Sequence, residues 1–140
     1  MDKIDTGKKK RKIIVLLAVI QIFNGLSGIA GGFGLLSDTS GAAVGLELTW
    51  LQQTPFSNYL IPGLVLLIVN GFGNVSGFIL TIRKHRKFDL IAVFFGLIMM
   101  VWIISQAYWI GYKSLLQPVY FGTGLMQFML GLMINKKGSV

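Results

Sequence analysis

The stretch "PFSNYLIPGLVLLIVNGFGN", Pro55 to Asn74, decides how the whole chain is read. Its greasy block is broken by Asn70, Gly71, Gly73 and Asn74, so two architectures compete for it. One is a strand feeding a glycine-rich nucleotide loop; the other is a membrane helix with a polar middle. In "NGFGNVSG" the glycines at 71, 73 and 77 miss the G-x-G-x-x-G spacing. No partner strand or acidic ribose ligand accompanies them. On a helix, Gly73 and Gly77 instead make a small-x-x-x-small face, which lets two helix backbones approach closely. Pro62 fixes φ and has no N–H, so it suits the first turn of a helix rather than its interior. From Pro62 to Ile82, at about 1.5 Å per residue, such a helix is about 31 Å long, the thickness of a hydrocarbon core. The nucleotide reading fails.

The rest of the chain has the same character. Of its 140 residues 54% are apolar and only 13% charged, about half the charged share of a soluble domain. Further apolar blocks run from Ile13 to Leu36, Leu90 to Ile110 and Leu115 to Ile134. The expected fold is all-α: a four-helix transmembrane domain over 13–134, with spans near 13–36, 62–82, 90–110 and 115–134. A basic arm, 1–12, precedes it and a tail, 135–140, follows. A barrel is excluded, because its strands would alternate in polarity and these runs do not.

Charge sets the orientation. All but one of the 13 basic residues lie in the arm, in the loop "RKHRK" around Arg83 to Lys87, or in the tail at Lys136 and Lys137. Short basic segments stay cytoplasmic, so both termini are expected inside, with Lys113 alone outside. Trp50, Phe56, Tyr59, Tyr108, Trp109, Tyr112, Tyr120 and Phe121 map near the outer boundary, where amphipathic rings prefer to lie. The segment "VGLELTWLQQ" reads as a short helix on the outer surface, Val44, Leu48 and Leu51 down and Glu47 and Gln52 up. The start "KKKRKIIVLLAVIQIFNGLSGIAGG" also resembles a signal peptide. The apolar run continuing to Leu36 favours a retained span. Cysteine is absent, which removes disulfides and thiolate metal sites.

Depth along each span gives the candidate site. Counted from the inner end at about 1.5 Å per residue, Gln21 and Asn24 fall about 12 and 16 Å deep, Asn74 and Asn70 about 12 and 18 Å, and Gln127 and Thr123 about 10 and 16 Å. Six polar side chains from three helices therefore share one layer, and the third helix contributes none. On each helix they sit three or four apart and so share a face. Gly25, Gly28, Gly73, Gly77, Gly124 and Gly131 flank those faces as packing residues. Two roles fit: hydrogen-bonded glue between helices, at about 0.6 to 2 kcal/mol per bond, or a polar cavity for a small solute. Glue is preferred, because no span carries a central ionisable group of the kind that ion-coupled transporters use.

Other residues point less far. Met99, Met100, Met126, Met129 and Met133 lie at similar depth, and thioethers suit Cu(I). Without Cys or His beside them, apolar packing explains them better. His85 reads as a solvated loop residue, and Asp89 as an acidic group at a helix N-terminus. No paired carboxylates or nucleophile–base constellation occurs, so no enzyme, cofactor or metal site is expected. The net charge of +8 reflects topology and contact with anionic headgroups, not nucleic acid.

The runs "LTWLQQTPFSNYLIPGL", "NGFGN", "RKHRK" and "YWIGYKSLLQPVYFGTGL" give the chain, from Gln21 to Leu132, a loose likeness. It resembles small uncharacterised four-helix integral membrane proteins of bacteria. That resemblance implies four spans and no reaction or ligand. The expected function is a structural or interaction subunit of the inner membrane, partnered by lipid and by a second copy or another membrane protein. A transporter or permeation subunit using the polar layer is the alternative.

Overall fold

A computed structural model describes the backbone of residues 3–138 and the side chains of residues 7–135. The contacts expected of Lys3, Lys136 and Lys137 with lipid lie outside the described side chains. Among the described residues the chain is helical without strands: α1 (Lys3–Ser37), α2 (Leu60–Ile82), α3 (Phe88–Ile110) and α4 (Leu116–Gly138). Three of them, α1 from Gly7, α2 and α3, are long and apolar enough to cross a membrane. The fourth matches α3 in length at 23 residues, but Gln117, Pro118, Tyr120, Thr123 and Gln127 dilute its apolar content.

The helix α1 begins ten residues before the expected Ile13. Lysine and arginine are good helix formers, so the basic arm continues the rod. The helix α2 is not uniform. Leu60–Val65 and Gly73–Ile82 are α-helical, and Leu66–Phe72 between them is a π-helical segment. Pro62 sits in its first turn, with Tyr59 as the N-cap residue.

The surface helix expected over 44–53 does not form. In its place are two 3₁₀ turns, Ala42–Val44 and Leu48–Leu51. Gly45 at φ 79° ends the first turn, and Glu47 is extended at φ −119°, ψ 140°, so a continuous helix is interrupted twice. Val44 and Leu48 remain exposed, and only Leu51 is buried, packed with Leu35 and Tyr59. Tyr59, expected near the outer boundary, is buried against neighbouring side chains. Its ring is 4% exposed and its hydroxyl donates to the Glu47 carbonyl at 2.7 Å. Burial, aided by the Glu47 charge, raises its pKa above the usual phenol value.

The four helices form a ring in which α1 packs on α2 and α4, and α3 on α2 and α4. All neighbours run antiparallel. On the α1–α2 seam, a Cβ added at Gly28 would lie 2.7 Å from the Gly71 nitrogen, and one at Gly32 2.6 Å from the Leu67 Cβ. On the α3–α4 seam, a Cβ at Gly96 would lie 2.7 Å from the Phe128 nitrogen and 2.8 Å from the Gly124 carbonyl. All but the Leu67 Cβ are backbone atoms, and that Cβ is fixed to its own backbone, so none can move aside. Gly28→Ala and Gly96→Ala should each destabilise by about 1–3 kcal/mol through overpacking. Gly122→Ala, with nothing within 4 Å, should be neutral or slightly stabilising. Thermal unfolding in detergent checks the contrast. Tyr59→Phe should lose about 1 kcal/mol through the missing bond to Glu47, read in the same assay.

Candidate functional site: a buried carboxamide layer

The middle of the bundle holds a buried polar layer, and the outer surface is apolar. Leu17, Gln21, Asn24, Asn70, Asn74, Thr81 and Gln127 are the largest fully buried side chains, and all but Leu17 carry polar groups. Outside, Val15, Val19, Leu26, Phe33, Phe94 and Ile104 are each more than half exposed. Water-soluble proteins bury amides sparingly and rarely expose large continuous apolar surface. Here the distribution is inverted.

Three helices meet through one amide chain. The Asn24 Nδ2 on α1 donates to the Gln127 Oε1 on α4 at 3.0 Å. The Gln127 Nε2 in turn donates to the Asn74 Oδ1 on α2 at 2.9 Å and to the Ala92 carbonyl on α3 at 3.1 Å. The Asn74 Nδ2 donates to the Asn70 carbonyl one turn earlier, at 2.8 Å. Gln127 thus touches all three other helices, and α3, which supplies no polar side chain to the layer, supplies a backbone acceptor. Ala92 leaves that carbonyl reachable because its own side chain is so small.

A second contact lies one turn toward the basic end. The Thr81 hydroxyl donates to the Gln21 Oε1 at 2.7 Å and approaches the Gly77 carbonyl at 2.8 Å. Gln21 reaches it across Gly77, where a Cβ would come within 2.9 Å of the Gln21 Nε2. Thr81 was missed in the sequence reading, although the signal was present. Residues 70, 74, 77 and 81 repeat at four, three and four, the spacing of one helix face, so Thr81 shares the face of Asn70 and Asn74.

Thr123, by contrast, is not part of the network. It is only half-buried, and its hydroxyl turns back to the Tyr120 carbonyl at 3.1 Å, with the Met99 sulfur at 3.9 Å. A threonine hydroxyl on a helix commonly satisfies itself on the preceding turn, so equal depth did not make it a partner. The glycines do flank the layer: Gly25 meets Val75 and Gly71, Gly73 meets Phe95, Gly124 meets Met99, and Gly131 meets Val93. Gly32, Gly71 and Gly96 make equally close contacts and were not anticipated.

The layer is sealed on both sides. Toward the basic end, Leu17, Ile20, Ala92, Leu130 and Ile134 form one buried cluster. At the aromatic end, Leu35, Leu51 and Tyr59 form another. Four buried side-chain atoms have no hydrogen-bond partner among the described residues: Gln21 Nε2, Asn24 Oδ1, and both Oδ1 and Nδ2 of Asn70.

The remaining candidates separate. Met99 and Met100 are buried, whereas Met126, Met129 and Met133 are exposed, so the thioethers do not gather. No cluster of His, Asp or Glu with metal-ligand spacing occurs among the described residues. The His85 Nδ1 accepts from the Lys87 N–H at 3.2 Å within the exposed loop. The Asp89 Oδ2, in the first turn of α3, accepts from the Asn135 Nδ2 at 2.9 Å. Gln117, also unforeseen, pins the turn before α4, accepting from the Lys113 N–H at 2.7 Å and donating to the Gly111 carbonyl at 3.2 Å.

Compared with known protein families, curated proteins and solved structures, the chain has no match. Its site is therefore judged on geometry. Gln127→Leu removes one partner from Asn24, Asn74 and Ala92 together, and should destabilise by about 1–3 kcal/mol for each group left bare. Thr123→Val should cost little. A Gln21/Thr81 double-mutant cycle should return a coupling of about 0.6 to 2 kcal/mol. Unfolding in detergent measures all three.

Proposed function

We propose that this chain is a four-span protein of the inner membrane, both termini cytoplasmic, serving as a structural or interaction subunit. The observation that carries this reading is the self-pairing of the amide layer. Asn24, Asn74 and Gln127 spend their hydrogen bonds on one another, and apolar clusters close the bundle above and below them. Apart from Tyr59 at the aromatic end, no ionisable side chain is buried among the described residues, so proton or ion transfer through the layer has no group to work through. With the interior occupied, what the protein offers its surroundings is its outer apolar surface, suited to lipid and to another membrane protein or a second copy.

Pairing supports the fourth span. Although α4 is the least apolar helix, its polar Gln127 faces inward while Val119, Leu125, Met126, Met129, Leu132 and Met133 face out. A helix tied to the layer by Gln127 lies at the same depth as the three that are apolar enough by themselves. The basic loop, Arg83 to Lys87, then shares the cytoplasmic side with the termini, where anionic headgroups attract it.

The four bare amide atoms favour the second reading, a solute-binding or permeation subunit. The two separate by substitution: Asn74→Leu and Gln127→Leu should impair accumulation if the layer is glue, and abolish a solute phenotype with folding intact if it is a path. For topology, a membrane-impermeant thiol reagent applied to whole cells should modify Thr39→Cys and spare His85→Cys; the reverse pattern overturns the orientation. For the interaction role, crosslinking in native membranes should give a discrete adduct with a second copy or another membrane protein. A strictly monomeric, partner-free chain overturns it.

A further inference from the structure

The three tryptophans of the chain, Trp50, Trp102 and Trp109, border two depressions reached along α3. One is a cavity of about 180 Å³ between the 48–51 turn and the end of α3, walled by Thr49, Trp50, Gln52, Gln53, Trp109 and Lys113. It is smaller than the roughly 300 Å³ at which pockets for a whole drug-sized ligand begin. Lys113 is the one charged residue in its wall. Glu47, two residues before Thr49, stays outside that wall and accepts from the Thr49 hydroxyl at 3.2 Å. The Lys113 Nζ lies 5.4 Å from the centre of the Trp50 ring, and its backbone N–H donates to the Gln117 Oε1 at 2.7 Å. Both ends of the residue are thereby held. A ring face engages one side of an ammonium and leaves donors free for an anion.

The second depression, about 260 Å³, is formed by Leu97, Ile98, Val101, Trp102 and Ser105 of α3. The Ser105 hydroxyl turns back to the Val101 carbonyl at 2.8 Å, so the groove presents an apolar lining. Residues 98, 102, 105 and 109 repeat at four, three and four, one face of a helix, and the groove therefore leads toward the polar cavity. From Leu97 to Ser105 it covers about 12 Å of helix, most of the roughly 15 Å of hydrocarbon in one leaflet.

We propose that this face of α3 binds one anionic phospholipid of the outer leaflet, its phosphate at Lys113 and an acyl chain along residues 97–105. The site rests on the membrane-spanning orientation proposed above, and it lies at the opposite end of α3 from the basic loop and its headgroup contacts. Charge complementarity chooses the lipid. One ammonium matches one phosphodiester, whereas the headgroup ammonium of a zwitterionic lipid would be repelled by Lys113. The carboxamides of Gln52 and Gln53 both donate and accept, which suits a headgroup carrying hydroxyls. A free phosphate would use Lys113 and leave the apolar groove empty.

The test uses the full chain reconstituted in phosphatidylcholine vesicles and reads tryptophan fluorescence, since every tryptophan borders the site. Lipid brominated on its acyl chains is added in increasing fraction, as phosphatidylglycerol or as phosphatidylcholine. The anionic lipid should reach half-quenching at about fivefold lower fraction, the factor that one lysine near an anionic headgroup contributes. Lys113→Gln should abolish that preference, and Arg86→Gln, beyond the other end of α3, should preserve it. Equal quenching by the two lipids overturns the site while leaving the chain in the membrane; quenching by neither overturns the membrane-spanning reading and the site with it. A preference that survives Lys113→Gln, or that falls equally in Arg86→Gln, reports diffuse charge and overturns the proposal. Its loss on adding millimolar inorganic phosphate makes a free anion the occupant and overturns it as well.

Discussion

A carboxamide taken out of water needs a hydrogen-bond partner, and the arrangement of this protein follows from where its amides can find one. The helices are apolar nearly all round, so dispersion alone would let each rotate about its axis with little penalty. Directional bonds do not allow that. Gln127 can reach Asn24, Asn74 and the Ala92 carbonyl at once only when all four helices stand at one height and one rotation. In a low-dielectric interior an unpaired amide costs more than in water, which makes the competing rotations unfavourable.

Close helix approach is the condition for those bonds. Asparagine and glutamine are short, and a layer of larger residues would hold the backbones beyond their reach. Glycines remove that obstacle along two seams, Gly28 against Gly71 and Gly96 against Gly124. The bundle is thus two tightly seamed pairs, α1–α2 and α3–α4, joined across the ring by the amides. Small residues at the seam and polar residues as the tie are complementary solutions to the same problem, since lipid tails give helices no hydrophobic reason to associate.

The same geometry explains why the layer is uneven. Asn74 is four residues after Asn70 and its side chain turns back to satisfy the Asn70 carbonyl, which leaves its oxygen free for Gln127. Asn70, within the π-helical segment, has no side-chain partner among the described residues. Apolar clusters lie on either side of the layer.

Much of the architecture was legible in the residues. Long apolar runs between basic clusters, with Pro62 as a start signal, mark helices because each rests on local chemistry and length. Five of the six layer residues were found because helical rise converts sequence position into depth. Depth is a single coordinate, however, and pairing also requires the right azimuth; Thr123 has the depth and spends its hydroxyl on its own helix, while Thr81, at the end of its span, lacks the depth but shares the azimuth of Asn70 and Asn74 and pairs with Gln21. The 3₁₀ turns at 42–44 and 48–51 were hidden for a different reason: apolar spacing permits a helix, but the backbone angles of Gly45 and Glu47 are set by how the loop closes over Leu35 and Tyr59.

By itself, then, the sequence determined element type and helices long and apolar enough to cross a membrane, both functions of composition and of a fixed rise per residue. Tertiary structure alone decided which amides pair, that α3 contributes a backbone carbonyl, that α2 widens into a π turn, and that Asn70 is left over. Those outcomes depend on distances between segments far apart in the chain, and no local rule of spacing contains them.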